Sequence, residues 1–277
     1  MQFRRDPKGV RYSFNSLHEL GEYIAATKRT WKANSSVTNP EEYNWDLRAG
    51  YSACVRMAQD GWLEGAAKVQ EALKSFTPAT PKPDTKTDFY GFRPHVPRFC
   101  AGAPDNMIRH TRTDALMGSG NVITLAVPVN ALAMVSAKGM SNFGVAVAQY
   151  VNQMETEGKR VEVIGMMVSE VSGQRCAHSW IVKRAEQPMD LAVVAFSIGH
   201  PGMFRRLGFG LRERCALRED PGYGRPLPAK VSDLIEPAPG TIVLNGMAEA
   251  DTVARTPADA LAYIAKQVER AFETQEL

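Results

Sequence analysis

Apolar residues first fall into helical step at Leu17, Leu20, Tyr23 and Ile24, behind Ser16 and with Glu19 three residues further on, the pattern of a capping box. A second stripe, Leu47, Tyr51, Cys54, Val55 and Ala58, is interrupted by Gly61 and resumed by Trp62, Ala66, Val69 and Leu73. These spacings predict helices from Ser16 and over 47–74. Residues 77–88 hold three prolines and no aliphatic residue larger than Ala, which predicts a linker. The passage that follows is rich in Pro and aromatics. Its prolines forbid a regular helix and its apolar content opposes disorder, so 89–121 is predicted to be an ordered loop packed on the core.

From 122 onward the period alternates between that of strands and that of helices. Residues 122–129, 160–168, 177–184 and 241–245 read as strands. Residues 141–157 read as a helix, carried by Phe143, Val147, Tyr150, Val151 and Met154 and stopped by Gly158. An apolar run at 190–196 leads into an Arg-rich segment, and Thr256 with Pro257 opens a final helix. The expected class is α/β, a partly parallel sheet covered by helices with an amino-terminal helical layer. The expected organisation is a helical region over 1–76, a Pro-rich linker over 77–88 and an α/β domain over 89–277 that includes the loop 89–121. No internal repeat is visible.

Composition adds limits. A chain of 277 residues that is 44% hydrophobic and 23% charged can bury a full core. No run approaches the roughly 20 apolar residues of a membrane span, and the basic amino terminus leads into no apolar stretch, so neither a membrane partner nor a secretory signal is expected. Cys54, Cys100, Cys176 and Cys215 are widely spread with no Cys-x-x-Cys pair, which predicts reduced, mostly buried thiols and a cytoplasmic protein.

The usual catalytic signatures are missing. Gly118-Ser-Gly120 precedes a predicted strand where a dinucleotide fingerprint must follow one. There is no Gly-x-Ser-x-Gly elbow and no His-Glu-x-x-His helix, and the five histidines are scattered. No enzyme, metal or cofactor is expected. What stands out is charge interleaved with aromatics, the composition that holds single-stranded nucleic acid by phosphate neutralisation and base stacking. Arg4, Arg5, Lys8 and Arg11 accompany Tyr12 and Phe14; Lys28, Arg29 and Lys32 flank Trp31; Arg93 and Arg98 lie among Phe89, Tyr90, Phe92 and Phe99. Arg205 and Arg206 precede glycines that would let backbone approach a phosphate. The segment from 231 onward is acidic, which suggests a chain with one basic and one acidic surface.

Two stretches, YSACVRMAQDGWLEG (51–65) and PHVPRFCAGAPDNM (94–107), resemble the hallmark passages of an uncharacterised family of bacteriophage-encoded accessory proteins. That resemblance transfers no catalytic residue and implies work in phage transcription or replication within the host cytoplasm. The order strand, long helix, two strands, helix, strand, helix from 122 also resembles a von Willebrand A-type domain. Those domains bind a metal through Asp-x-Ser-x-Ser after the first strand, where this chain has Asn130 and Ser136 and no carboxylate. The expected function is therefore non-catalytic binding of single-stranded nucleic acid, DNA foremost. The alternative is a protein–protein adaptor of A-domain type that partners an ATPase or a polymerase. One continuous cationic surface favours the first, and dispersed charges beside an exposed apolar patch favour the second.

Overall fold

The computed structural model describes residues 1–6, 9–30, 47–76, 85–91, 93–110, 122–131, 135–171, 174–216, 241–244 and 254–275. Its centre is a six-stranded sheet in the order β1-β2-β8-β7-β6-β9. The strands are β1 (Gln2–Asp6), β2 (Gly9–Phe14), β6 (Val122–Pro128), β7 (Arg160–Val171), β8 (Gln174–Lys183) and β9 (Thr241–Val243). β2 runs parallel to β8, and β6 runs parallel to both β7 and β9. The pairs β1/β2 and β7/β8 are antiparallel. The α/β, partly parallel class expected from the sequence is therefore observed.

The amino-terminal region supplies the expected helices, α1 (Leu17–Ala26), α2 (Gly50–Asp60) and α3 (Leu63–Lys74). Ser16 caps α1 by accepting from the Glu19 N–H. Gly61 separates α2 from α3 at φ 84°, and a side chain there would strike Ala192. Residues 1–6 and 9–14 are not helical. They form a hairpin that joins the large sheet, because Val10, Tyr12 and Phe14 alternate with Arg11 and Ser13 and so present one apolar face.

The long helix α5 (Ala137–Thr156) starts four residues earlier than its apolar stripe suggested, because Ser136 accepts from the Gly139 N–H and fixes the first turn. Asp190 caps α6 (Leu191–Val194), which continues as a wider π-type turn over Ala195–Gly199. A second π-type turn, Met203–Gly208, runs into α7 (Phe209–Arg212), and α8 (Pro257–Gln275) closes the described chain. α5 crosses the first π-type turn at Gly144 and Gly199, where a Cβ on Gly144 would lie 2.5 Å from the Gly199 Cα. Only glycine allows that approach.

Residues paired across strands share a face. One row of the large sheet, Tyr12, His178 and Met167, joins Phe14, Trp180, Leu125 and Val163 in the main core with Leu20, Phe143, Phe196 and Leu207 from the helices. The opposite face carries a smaller cluster of Ala126, Met166, Val168 and Ala177.

The Pro-rich stretch ends sooner than expected. Residues 77–84 lie outside the described residues, and Thr85–Asp88 is already a strand, β3. β3 pairs with β5 (Met107–His110), and β5 pairs with β4 (Arg93–Pro94), giving a small antiparallel sheet beside the short helix α4 (Val96–Cys100). The passage expected to pack on the core instead leaves Phe89, Tyr90, Val96 and Phe99 exposed at 62–70%.

Candidate functional site

The hairpin places basic residues on the outer edge of the large sheet. Arg4 on β1 lies directly opposite Arg11 on β2, and Arg11 is paired in turn with Ala177 on β8. Arg175 sits opposite Gly9, two residues along on the same face. Three arginines thus share one face of the sheet, with Asp6, paired to Gly9, at the end of the same row. Arg5 belongs to the other face, and its guanidinium donates to the Ala216 carbonyl. Phe3 is half exposed and rests on the Tyr12 ring, 5.0 Å between centroids.

A short bracket, residues 213–216, ties this hairpin to the end of α1. The Thr30 N–H donates to the Glu213 carbonyl at 2.8 Å, and its hydroxyl lies 3.2 Å from the carbonyls of Glu213 and Cys215. Arg29 pairs with the buried Glu213 carboxylate at 3.1 Å and lies over the Tyr51 ring. Arg214 donates to the carbonyls of Ile24 and Thr27 at the end of α1, where helix carbonyls lack intrahelical partners, and to Gly210. The Tyr12 hydroxyl accepts from the Ala216 N–H at 2.9 Å. The bracket therefore brings Arg5 of the hairpin close to Arg29 after α1, while Arg4 and Arg11 lie on the opposite face of the sheet.

Beneath the bracket the His178 ring stacks flat on Tyr12, 4.9 Å apart and 10° from parallel. Complete burial, aided by the Arg212 charge, pushes the His178 pKa down to about 3, so the ring is neutral at physiological pH. Cys176 on β8 and Cys215 in the bracket form a disulfide, and the Cys176 Sγ lies 3.9 Å from both His178 ring nitrogens. This corrects the expectation of four reduced thiols. Cys54 is buried and Cys100 exposed, but the other two are brought together because α7 ends over the start of β8. The Ser169 hydroxyl, in register with Cys176, is buried without a hydrogen-bond partner.

The remaining expected contact residues are distributed unevenly. Lys28 is exposed. Lys8, Trp31 and Lys32 lie outside the described residues. Arg93 is exposed on β4, and Arg98 in α4 holds the Asp105 carboxylate through both oxygens, keeping that carboxyl below its usual range. Arg205 and Arg206 are not at the surface. They are 2% and 1% exposed inside the helical layer, and Arg205 donates to the Val135 carbonyl. The glycines after them allow helix packing, since a Cβ on Gly208 would meet the Met167 sulfur at 2.6 Å. Tyr12 and Phe14 are core residues, so Phe3 is the exposed aromatic of the hairpin. Sequence reasoning missed Arg175, although its place two residues before Ala177 on an alternating strand puts it on the outer face.

The position where an A-type domain would hold metal has another use here. Asn130, just beyond β6, is buried and clasps Val168 on β7: its Nδ2 donates to the Val168 carbonyl at 2.9 Å and its Oδ1 accepts from the Val168 N–H at 3.0 Å. Ser136 is the cap of α5. Among the described residues no cluster of three or more His, Cys, Asp or Glu is placed to hold a metal ion. At the far end of β8 a cleft of about 210 Å³ is lined by Ser16, His18, Arg184 and Asp190. Ser16 and Asp190 there are engaged as helix caps, and Lys183, with its Nζ at 2.6 Å from the Glu155 carboxylate, is fully buried.

No helix among the described residues is long and apolar enough to cross a membrane. The sequence model of a protein family described as a domain of unknown function (DUF7192) matches residues 4–276. No curated protein and no solved structure matches the chain.

Proposed function

This chain belongs to the DUF7192 family, and we propose that it is a non-catalytic protein that binds single-stranded nucleic acid, DNA foremost, across the basic end of its large sheet. The observation that carries this reading is Arg11. Edge strands often carry charge to discourage pairing with other chains, and that alone would account for Arg4. Arg11 is on an inner strand, paired on both sides, yet it faces Arg4 with Arg175 close by. A phosphate backbone draws affinity from arginines gathered on one face through counterion release. On the other face of the hairpin Phe3 is half exposed and offers a ring for a base reached over the sheet edge. Such binding needs neither metal nor nucleotide cofactor. The resemblance of 51–65 and 94–107 to phage accessory proteins supports a role in phage transcription or replication in the host cytoplasm.

The test is a fluorescence-anisotropy titration of labelled single- and double-stranded oligonucleotides at two salt concentrations. Tighter binding to the single strand, weakening as salt rises by roughly 0.7 log units per log unit of salt for each phosphate contacted, is the expected result. Absence of binding at low salt and micromolar protein removes the reading.

The small sheet favours a second reading, an adaptor for an ATPase or polymerase. Phe89, Tyr90, Val96 and Phe99 are exposed together, while Arg98 and Arg109 beside them are engaged by Asp105 and Asp88. Exposed aromatics with locally neutralised charge suit a protein interface better than a phosphate track. The element order from β6 to α8 supports the likeness to A-type domains on which this reading also rests.

A further inference from the structure

We infer that Cys176 and Cys215 form a thiol–disulfide switch that sets the arrangement of the basic end, exchanging with low-molecular-weight thiols of the glutathione class. The inference rests on the proposed nucleic-acid reading for its binding readout alone.

The two cysteines are 39 residues apart and both fully buried. Cys215 belongs to the bracket that receives Arg5, Arg29, Thr30 and Tyr12, and Cys176 belongs to the strand that carries Arg175. The bond therefore fastens the bracket, and with it the end of α1, to the strand beneath the hairpin. Reduced, the bracket keeps its hydrogen bonds to α1 and to Tyr12 but loses its covalent link to β8. In a reducing compartment a disulfide of this kind is transient and regulatory.

The exchange balances with two thiols. A thiolate attacks the Cys215 sulfur, forming a mixed disulfide and releasing Cys176 as thiolate. A second thiolate attacks the outer sulfur of that mixed disulfide, freeing Cys215 and leaving as the small-molecule disulfide. The two electrons come from the two small thiols, and their protons end on Cys176 and Cys215. Ala216, exposed and adjacent to Cys215, is where the bracket opens to admit the attacking thiol.

The full chain is equilibrated in glutathione buffers of graded redox ratio, alkylated, and weighed by mass spectrometry. The expected result is a single two-thiol step, lost in Cys176→Ser and in Cys215→Ser, with Cys54 and Cys100 unaffected. Amide exchange at 28–30 and 213–216 should be faster in the reduced wild type, and its melting temperature should fall by roughly 5–10 °C. Single-strand affinity should drop by about tenfold, as for loss of one or two phosphate contacts. If all four cysteines alkylate at every ratio, or if the bond forms and amide exchange at the bracket does not change, the switch is refuted. If thiol state and exchange respond but neither state binds nucleic acid, the switch stands and the nucleic-acid reading falls.

Discussion

The two ends of this molecule that gather arginine treat it in opposite ways. In the small sheet each well-placed cation has a carboxylate: Arg98 grips Asp105, and Arg109 reaches Asp88 while covering the Tyr90 ring at 4.7 Å. On the hairpin, Arg4 and Arg11 face each other, and it is Arg5, turned to the other face, that is drawn into the bracket. The same residue type grips single carboxylates in one region and is gathered in a row on one face of a sheet in the other. The contrast teaches that a count of arginines beside aromatics does not locate a polyanion site. What matters is which face of the strand they occupy and what the neighbouring strands place beside them.

The largest expected effect separates the regions directly. Arg4→Ala with Arg11→Ala should weaken single-strand binding by roughly thirtyfold and make the salt slope shallower by about 1.4, two phosphate contacts being lost. Phe89→Ala with Tyr90→Ala should leave both quantities unchanged in the same titration. If the aromatic pair matters more than the arginine pair, the assignment of roles is reversed.

Next comes the support beneath the basic end. Arg29→Ala removes one partner of the buried Glu213 carboxylate, and the loss should be roughly 1–3 kcal/mol. A fall in melting temperature of several degrees by calorimetry is expected. Arg98→Ala, breaking a half-exposed pair in the small sheet, should cost under about 1 kcal/mol. Similar losses for both would mean that the two sets of arginines are not used differently.

Acid should also distinguish the ends. His178 is held neutral in the folded protein with a pKa near 3, against about 6.5 when unfolded. The unfolded chain therefore binds the extra proton first. Stability is fully present above about pH 6.5 and declines as pH falls toward 3, by up to about 1.4 kcal/mol per pH unit from this group. Denaturant midpoints measured from pH 7 to 5 should fall for the wild type and flatten for His178→Gln. Asp105, whose carboxyl is depressed by Arg98, contributes stability lost only at lower pH, as that carboxylate is protonated. The smallest effect is on stability in Phe89→Ala, expected within about 0.5 kcal/mol since the ring is already in water.

Much of the fold was legible where the cause is local. Ser16 with Glu19, Gly61, Gly158, and Thr256 with Pro257 each mark a helix boundary through a cap or a left-handed turn, and the structure keeps all of them. The site was harder to read for a specific reason. Val10-Arg-Tyr-Ser-Phe14 shows basic and aromatic residues in alternation, which reads as a nucleic-acid composition, but alternation is also the period of a strand. The fold sends Tyr12 and Phe14 into the core and Arg11 to the opposite face, where it is half-buried, so the prediction's aromatics are lost to the core and only part of its charge remains outside it. Arg205 and Arg206 mislead in the opposite direction, because a buried helix carrying arginine looks like a basic loop until its carbonyl partners are known. Nothing in the spacing of Cys176 and Cys215 announces their meeting, which depends on where α7 ends.

The register of the hairpin also sets an order of events. Ser13 and Ser179 touch across the β2/β8 pair at a separation of 166 residues. During synthesis the first fourteen residues have no strand to dock on until β8 has left the ribosome, and closing so long a loop is slow. Through that interval Val10, Tyr12 and Phe14 have no sheet to cover them, and the charges of Arg4, Arg5 and Arg11 interleaved with them oppose association of their apolar side chains. The arginines would then act twice, first as guardians of an unfinished chain and only afterwards as the finished surface.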